Sequence, residues 1–280
     1  MKKIIKKFAQ FLFNKRLKEI HKLKDLEKGK TCYVIGDGIS LKYYDLKFFN
    51  KHDSISLSYL PFHKEFDYIN CKYCLLIQPY FFYPLNYITD PISPPTNPPK
   101  KIFWHNKIGK YFKEKIIKRY KDKIFITHLS NYFPLENYEN NYFILNQFND
   151  EQFDKFLNNR NINSWEWSMK AGILLAIYLG YKKIFLVGCD YADNPSKIGH
   201  WYERNSKEKT TSYNKDLKLF FDSLDDIVDI KIISKNNNQN DKRFVNYEKY
   251  SGSPIKNLEG KPQIEEDFLN ILKSWPDYSI

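Results

Sequence analysis

Apolar positions along the chain fall into short runs separated by polar turns, and one stretch, residues 164–202, is the densest of them. Within it, residues 171–179 are apolar at nearly every position, which predicts a helix buried on most sides, with Ser164 as its N-cap and Gly180 as its stop. Residues 184–187 form a branched run bounded by lysines and Gly188, the pattern of a strand covered on both faces. Asp190 then sits just past that strand's C-terminal end, the edge at which open α/β sheets bind ligands. Further strands are predicted at 32–35, 55–57, 74–77, 102–104 and 124–126, with 230–233 as the last. Helical spacing marks 108–120, 212–224 and 264–275. Residues 79–99 hold seven prolines and read as a long irregular loop, and residues 128–150, rich in Asn, Tyr and Phe, read as loop or lid. This alternation implies a Rossmann-like α/β fold: a mostly parallel sheet with helices on both faces and an irregular lid, forming a single domain over 31–280.

The N-terminal pattern is different. Over residues 2–24, Ile4, Ile5, Phe8, Phe11, Leu12 and Phe13 recur at helical spacing, with Lys2, Lys3, Lys6, Lys7, Lys15, Arg16 and Lys18 on the other face. Residues 1–30 carry eleven Lys or Arg and three Asp or Glu, so this arm holds +8 of the chain's net charge of +12. Such a segment can lie in an anionic membrane interface; it can also pack on the domain or on a partner subunit. The expected location is cytoplasmic and peripheral at the inner membrane. No secretory signal is recognisable, and no run approaches the ~20 apolar residues that span a bilayer.

Charge and composition exclude several classes. Because the basic character is concentrated in the arm, the high pI does not argue for nucleic acid, and no nucleic-acid motif is present. Aromatic residues make up 18% of the chain, which excludes a disordered protein. Of Cys32, Cys71, Cys74 and Cys189, only Cys71 and Cys74 have C-x-x-C spacing, and no second ligand pair matches them; buried thiols are expected.

Two motifs carry candidate chemistry. The first strand runs into Gly36-Asp37-Gly38-Ile39-Ser40-Leu41, a tight turn that lets backbone approach a ligand. Its third glycine position is Leu41, so it departs from the dinucleotide fingerprint and also fits an ordinary strand–helix turn. The second is the polar loop from Asp190 to Glu203 with His200 in it; a neutral imidazole is a competent base near pH 7. Glu203 could orient that ring. The spacing Asp190-Tyr191-Ala192-Asp193 does not match a D-x-D metal site, so no metal is expected.

Three patches together resemble one family, the bacterial lipooligosaccharide sialyltransferases that use CMP-sialic acid. Gly36–Leu41 is similar to the family's G-N-G-P-S-L turn. Trp167-Ser168-Met169, Leu179-Gly180-Tyr181-Lys182-Lys183-Ile184 and Gly188-Cys189-Asp190 resemble its T-S-G, L-G-Y-K-E-I and G-x-D segments. Lys197-Ile198-Gly199-His200 resembles its Y-I-G-H loop. The patches keep their order and cover about a fifth of the chain. Asp37 stands where the family has Asn, Met169 where it has Gly, and the loop before His200 is shorter. The turn and G-x-D pattern also resemble a wider group that includes hydroxymethylpterin diphosphokinase-like proteins.

The resemblance implies an inverting glycosyltransferase that moves an acidic sugar, sialic acid or a related nonulosonic acid, from a CMP donor to a glycan or glycolipid acceptor. His200 would be the base. Tyr191 and Tyr202 would donate to the leaving phosphate. Gly36, Asp37, Gly38, Ser40, Ser168 and Asp190 would contact the donor, and Asn236 and Asn237 would read the cytosine edge. Two rivals stay open at this point: a magnesium- and ATP-dependent phosphotransferase of the pterin diphosphokinase type, and a non-catalytic membrane-associated scaffold. A homo-oligomer is compatible with either class.

Overall fold

The computed structural model describes residues 11–82, 107–145, 148, 150–160, 162, 167–203, 209–212, 215–236, 241–256 and 263–273. These residues form ten strands: β1 (Thr31–Ile35), β2 (Asp53–Leu57), β3 (Cys71–Leu76), β4 (Ile124–His128), β5 (Asn141–Ile144), β6 (Lys183–Val187), β7 (Ser196–Ile198), β8 (Lys209–Thr211), β9 (Asp229–Ser234) and β10 (Phe244–Asn246). Eight build one sheet in the order β10-β9-β6-β1-β2-β3-β4-β5, with every neighbouring pair parallel. β7 and β8 pair antiparallel in a small separate ribbon. The helices used below are α1 (Asn14–Lys18), α2 (Tyr132–Leu135), α3 (Glu151–Asn159), α4 (Ser168–Tyr178), α5 (Lys215–Asp222), α6 (Tyr247–Ser251) and α7 (Glu266–Lys273).

Strand alternation splits the core into two layers. In β1, Cys32 and Val34 point to one face and Tyr33 and Ile35 to the other; β6 repeats this with Ile184 and Leu186 against Phe185 and Val187. The first face is covered by α4, α5 and α3, and the second by the 107–117 helical stretch, α6 and α7. Both strands are therefore apolar throughout, as a doubly covered parallel sheet requires. α4 is buried along almost its whole length, and Gly180, at φ +93°, ends it in the left-handed region. The predicted α/β class, parallel sheet and two-sided helical cover are present.

Several predicted boundaries differ. The residue preceding α4 is Trp167, whereas Ser164 lies outside the described residues. Residues 128–150 are not a continuous loop: they contain α2 and the edge strand β5. Asn-rich flanks hide β5, yet Phe143 and Ile144 are buried and Asn141 accepts a hydrogen bond from Thr127 Oγ1 at 3.2 Å. Strand 230–233 is not the last, because the three-residue β10 adds at the edge beside β9. Residues 112–117 form a π-helix within the predicted 108–120 helix. The 102–104 strand and nearly all of the proline-rich loop lie outside the described residues.

The boundary of the basic arm also moves. Residues 17–30 are part of the domain: Leu17, Ile20 and Leu23 are buried, and the backbone N–H groups of Asp25, Glu27 and Gly29 donate to the carbonyls of Tyr178, Leu179 and Gly180. Glu27 is fully buried and accepts from Lys30, Lys72 and the Tyr73 hydroxyl. Charge counting assigned this segment to the arm because most of its lysines stay exposed while a few apolar residues anchor it. Among the described residues, no helix is long and apolar enough to cross a membrane.

Candidate active site

The strand order places a topological switch between β1 and β6. The chain runs outward from β1 through β5 and then returns to β6 on the other side of β1. At such a point the segments leaving two neighbouring strands turn to opposite faces and open a crevice at the C-terminal rim. A cavity of about 660 Å³ lies there, lined by the turn after β1, the loop after β6, the first residues of α4 and the β7–β8 ribbon. That volume is in the range of small-molecule sites.

The glycine turn is held by β6. Gly36 N–H donates to the Val187 carbonyl and Gly38 N–H to the Gly188 carbonyl, each at 2.8 Å, so pairing continues past the strand ends. A Cβ on Gly36 would meet the Gly188 oxygen at 2.7 Å, and one on Gly38 would collide with the Asp190 carboxylate. The glycines are thus required by the close approach of the two loops, quite apart from any ligand. Asp190, 4% exposed, accepts from the Ser40 N–H at 2.7 Å and pins the turn. Its pKa is pushed up to about 6 by burial first and by the neighbouring Asp193 second. Asp37 is likewise pushed up to about 6 by burial, although its oxygens accept from Tyr59 N–H at 3.0 Å and Trp201 Nε1–H at 3.3 Å.

The histidine loop docks on the same turn. Gly38 and His200 form an antiparallel bridge, and Trp201 N–H donates to the Asp37 carbonyl at 3.2 Å. His200 Nδ1 lies 2.8 Å from Glu203 Oε1, and its ring stacks on Tyr202 at 5.0 Å between centroids. Burial pulls the imidazole's pKa down, but the Glu203 hydrogen bond and the charges of Asp37, Glu203 and Asp190 outweigh it, and the pKa is raised. A carboxylate on Nδ1 fixes the tautomer that puts the basic lone pair of the neutral ring on Nε2, the arrangement of a general base with its orienting acid. Within the same loop, Lys197 of β7 and Asp193, 1% and 3% exposed, form an ion pair at 2.5 Å.

Of the sequence-predicted residues, Gly36, Asp37, Gly38, Ser168, Asp190, Tyr191 and His200 line the one cavity. Tyr191 is 51% exposed and faces the Trp167 ring. Three others are not on its wall. Ser40 is 1% exposed and serves the turn through its N–H. Tyr202 is 3% exposed and backs the imidazole, packed against Tyr59 as well. Asn236 follows β9, two strands from β1, with its N–H on Ser234 Oγ. Asn237 lies outside the described residues.

Sequence reasoning missed Ser58, the ribbon residues Ser196 and Thr211, and Ser212 just after the ribbon. Ser58 follows β2 with φ +48°, and its hydroxyl is 3.4 Å from that of Ser168. A non-glycine residue in the left-handed region beside a cavity is a strained position. Its only sequence signal is its place one residue past a strand end at the ligand-binding rim. Among the described residues, no group of three or more His, Cys, Asp or Glu side chains is placed to hold a metal ion, and all four cysteines are buried and free.

No family model matches the chain, and no curated protein matches it. The chain is similar to solved sialyltransferases. The sialyltransferase CstII from Campylobacter jejuni, in complex with a substrate analogue, cytidine-5'-monophosphate, is 19% identical over 84% of this chain and 88% of its own, with a TM-score of 0.45. An alpha-2,3-sialyltransferase from Campylobacter jejuni in apo form is 13% identical over 85% of this chain and 86% of its own, with a TM-score of 0.43.

Proposed function

We propose that the protein is a glycosyltransferase that moves an acidic sugar from a CMP-activated donor to a glycan acceptor, with inversion and without a metal. The observation that carries this reading is the convergence of His200, oriented by Glu203, on the Gly36-Asp37-Gly38 turn at the β1/β6 switch. In this reading the donor's nucleotide occupies the cavity against the glycine turn. The acceptor hydroxyl gives its proton to His200 Nε2 as its oxygen attacks the anomeric carbon. The glycosidic C–O bond breaks on the opposite face, and its electron pair leaves with the phosphate of CMP. Tyr191 and Ser168, with the N–H groups at the start of α4, are the donors nearest to hand for the growing phosphate charge or the sugar carboxylate. Asp37 serves a ribose or acceptor hydroxyl better than a phosphate, since like charges repel.

The rival phosphotransfer chemistry uses magnesium and ATP, which gives a direct test. A thermal-shift series with CMP, UDP, GDP and ATP, each with magnesium and with chelator, should show the largest stabilisation with CMP and no dependence on magnesium. Stabilisation by ATP only when magnesium is present would overturn the reading.

A further inference from the structure

The described end of the basic arm is not an isolated tail. Phe13 packs against Tyr132 and Phe133 of α2, with ring centroids 5.1 and 6.3 Å apart, and the Arg16 guanidinium sits over the Tyr132 ring at 5.9 Å. This contact joins two segments more than a hundred residues apart into one surface. Phe11, Leu12 and Phe133 project from it, 79%, 58% and 61% exposed. Lys15, Arg16 and Lys18 of the same segment are exposed too. Large apolar side chains left in water beside exposed cations form the pattern of an interfacial anchor.

The position of α2 gives the patch a direction. α2 begins four residues beyond His128, the end of β4, so it sits at the C-terminal rim of the sheet. All eight strands run the same way, and the cavity opens at that same rim between β1 and β6. β4 is three strands from β1, roughly 14 Å at the usual strand spacing. We propose that Phe11, Leu12 and Phe133 dock the protein on an anionic lipid bilayer, with the cavity-bearing rim turned toward the lipid. The exposed Lys15, Arg16 and Lys18 favour an anionic bilayer over a neutral one, because each lysine or arginine near such a surface adds about 1 kcal/mol. A lipid-linked acceptor would then meet the site from the membrane side; that last step rests on the sugar-transfer reading, whereas the docking surface does not.

The test uses the full chain. Co-sedimentation should show binding to phosphatidylglycerol-containing vesicles and little to pure phosphatidylcholine. Phe133→Asp should weaken that binding by about tenfold or more, the worth of one buried phenylalanine ring, while melting temperature and CMP-induced stabilisation stay at the parent's values. The four native cysteines are buried, so an environment-sensitive dye can be attached through Phe133→Cys or, as a control, Tyr68→Cys. Tyr68 is 61% exposed and precedes β3, at the opposite rim. The dye at position 133 should shift to the blue on adding anionic vesicles, and the dye at position 68 should not. Equal binding by the parent to both vesicle types, undiminished binding by Phe133→Asp, or a shift at position 68 as large as at 133 would each overturn the proposal. Loss of CMP stabilisation in the parent would instead remove the sugar-transfer reading and leave the docking surface standing.

Discussion

At the N-terminal rim of the sheet, beside β9 and β10, Arg243 is 4% exposed and is met by Asp222 at 2.6 Å, Asp225 at 2.8 Å and Asp241 at 2.9 Å. Burial alone would lower its pKa, but these carboxylates raise it, and Asp222, held by Lys218 and Arg243, is lowered. At the C-terminal rim, Asp37 and Asp190 are pushed the other way, to about 6 each, because burial outweighs the partners they have. Both rims bury charge. One compensates it and behaves as a structural knot; the other leaves carboxylates with raised pKa values beside a histidine and a cavity. Ionisable groups shifted in this way inside a cleft make this rim the candidate site of the molecule.

Mutations can break this contrast from either side. The largest effect is expected from His200→Ala, with transfer falling by about 10²–10⁴-fold and CMP-induced stabilisation retained; steady-state rates and a thermal shift on the same preparation check both halves. Next comes Arg243→Leu, which takes the shared cation from Asp222, Asp225 and Asp241, leaving Asp222 with Lys218, and should cost about 3 kcal/mol in denaturant unfolding, with turnover unchanged where the variant is folded. Asp190→Asn should act in the opposite direction. The amide oxygen keeps the Ser40 N–H, and the ionised form is no longer buried. A carboxylate whose folded pKa lies above its unfolded value opposes folding above that unfolded value. The penalty grows from about pH 4 to about pH 6 and is complete above. The variant should therefore gain up to about 3 kcal/mol at pH 8, and the gain should vanish near pH 4; denaturant unfolding at the two pH values reads it.

The smallest effect is expected from Glu203→Gln. The base works only when neutral, so the rate rises with pH through the pKa of His200, which Glu203 helps to raise. Removing that carboxylate lowers the pKa and moves the acid limb of the pH–rate profile to lower pH. The maximal rate should fall about tenfold, the worth of one charge-assisted hydrogen bond. An unmoved profile would show that Glu203 does not tune the imidazole.

The parts that were legible in the sequence are those whose physics is local. Unbroken apolar runs at 171–179 and 184–187 can only be a covered helix and a covered strand, and α4 and β6 lie there. The glycine turn was legible because no other residue tolerates the approach of Gly188 and Asp190. β5 and β10 were not, since strands of four and three residues with polar members earn their place only by pairing with β4 and β9. Tyr202 and Ser40 read as ligand contacts because a hydroxyl's chemistry is visible in the sequence and its burial is not.

By itself the sequence determined the fold class, the two-sided parallel sheet and the three segments that carry reactive groups, since periodicity and turn chemistry are properties of neighbouring residues. Only the tertiary structure decided that Gly38 pairs with His200, that Tyr202 backs the imidazole, that the pKa of Asp190 is raised by burial and that Phe13 joins the arm to Phe133. Each of these depends on distance and desolvation between residues far apart in the chain, and those quantities exist only once the chain has packed.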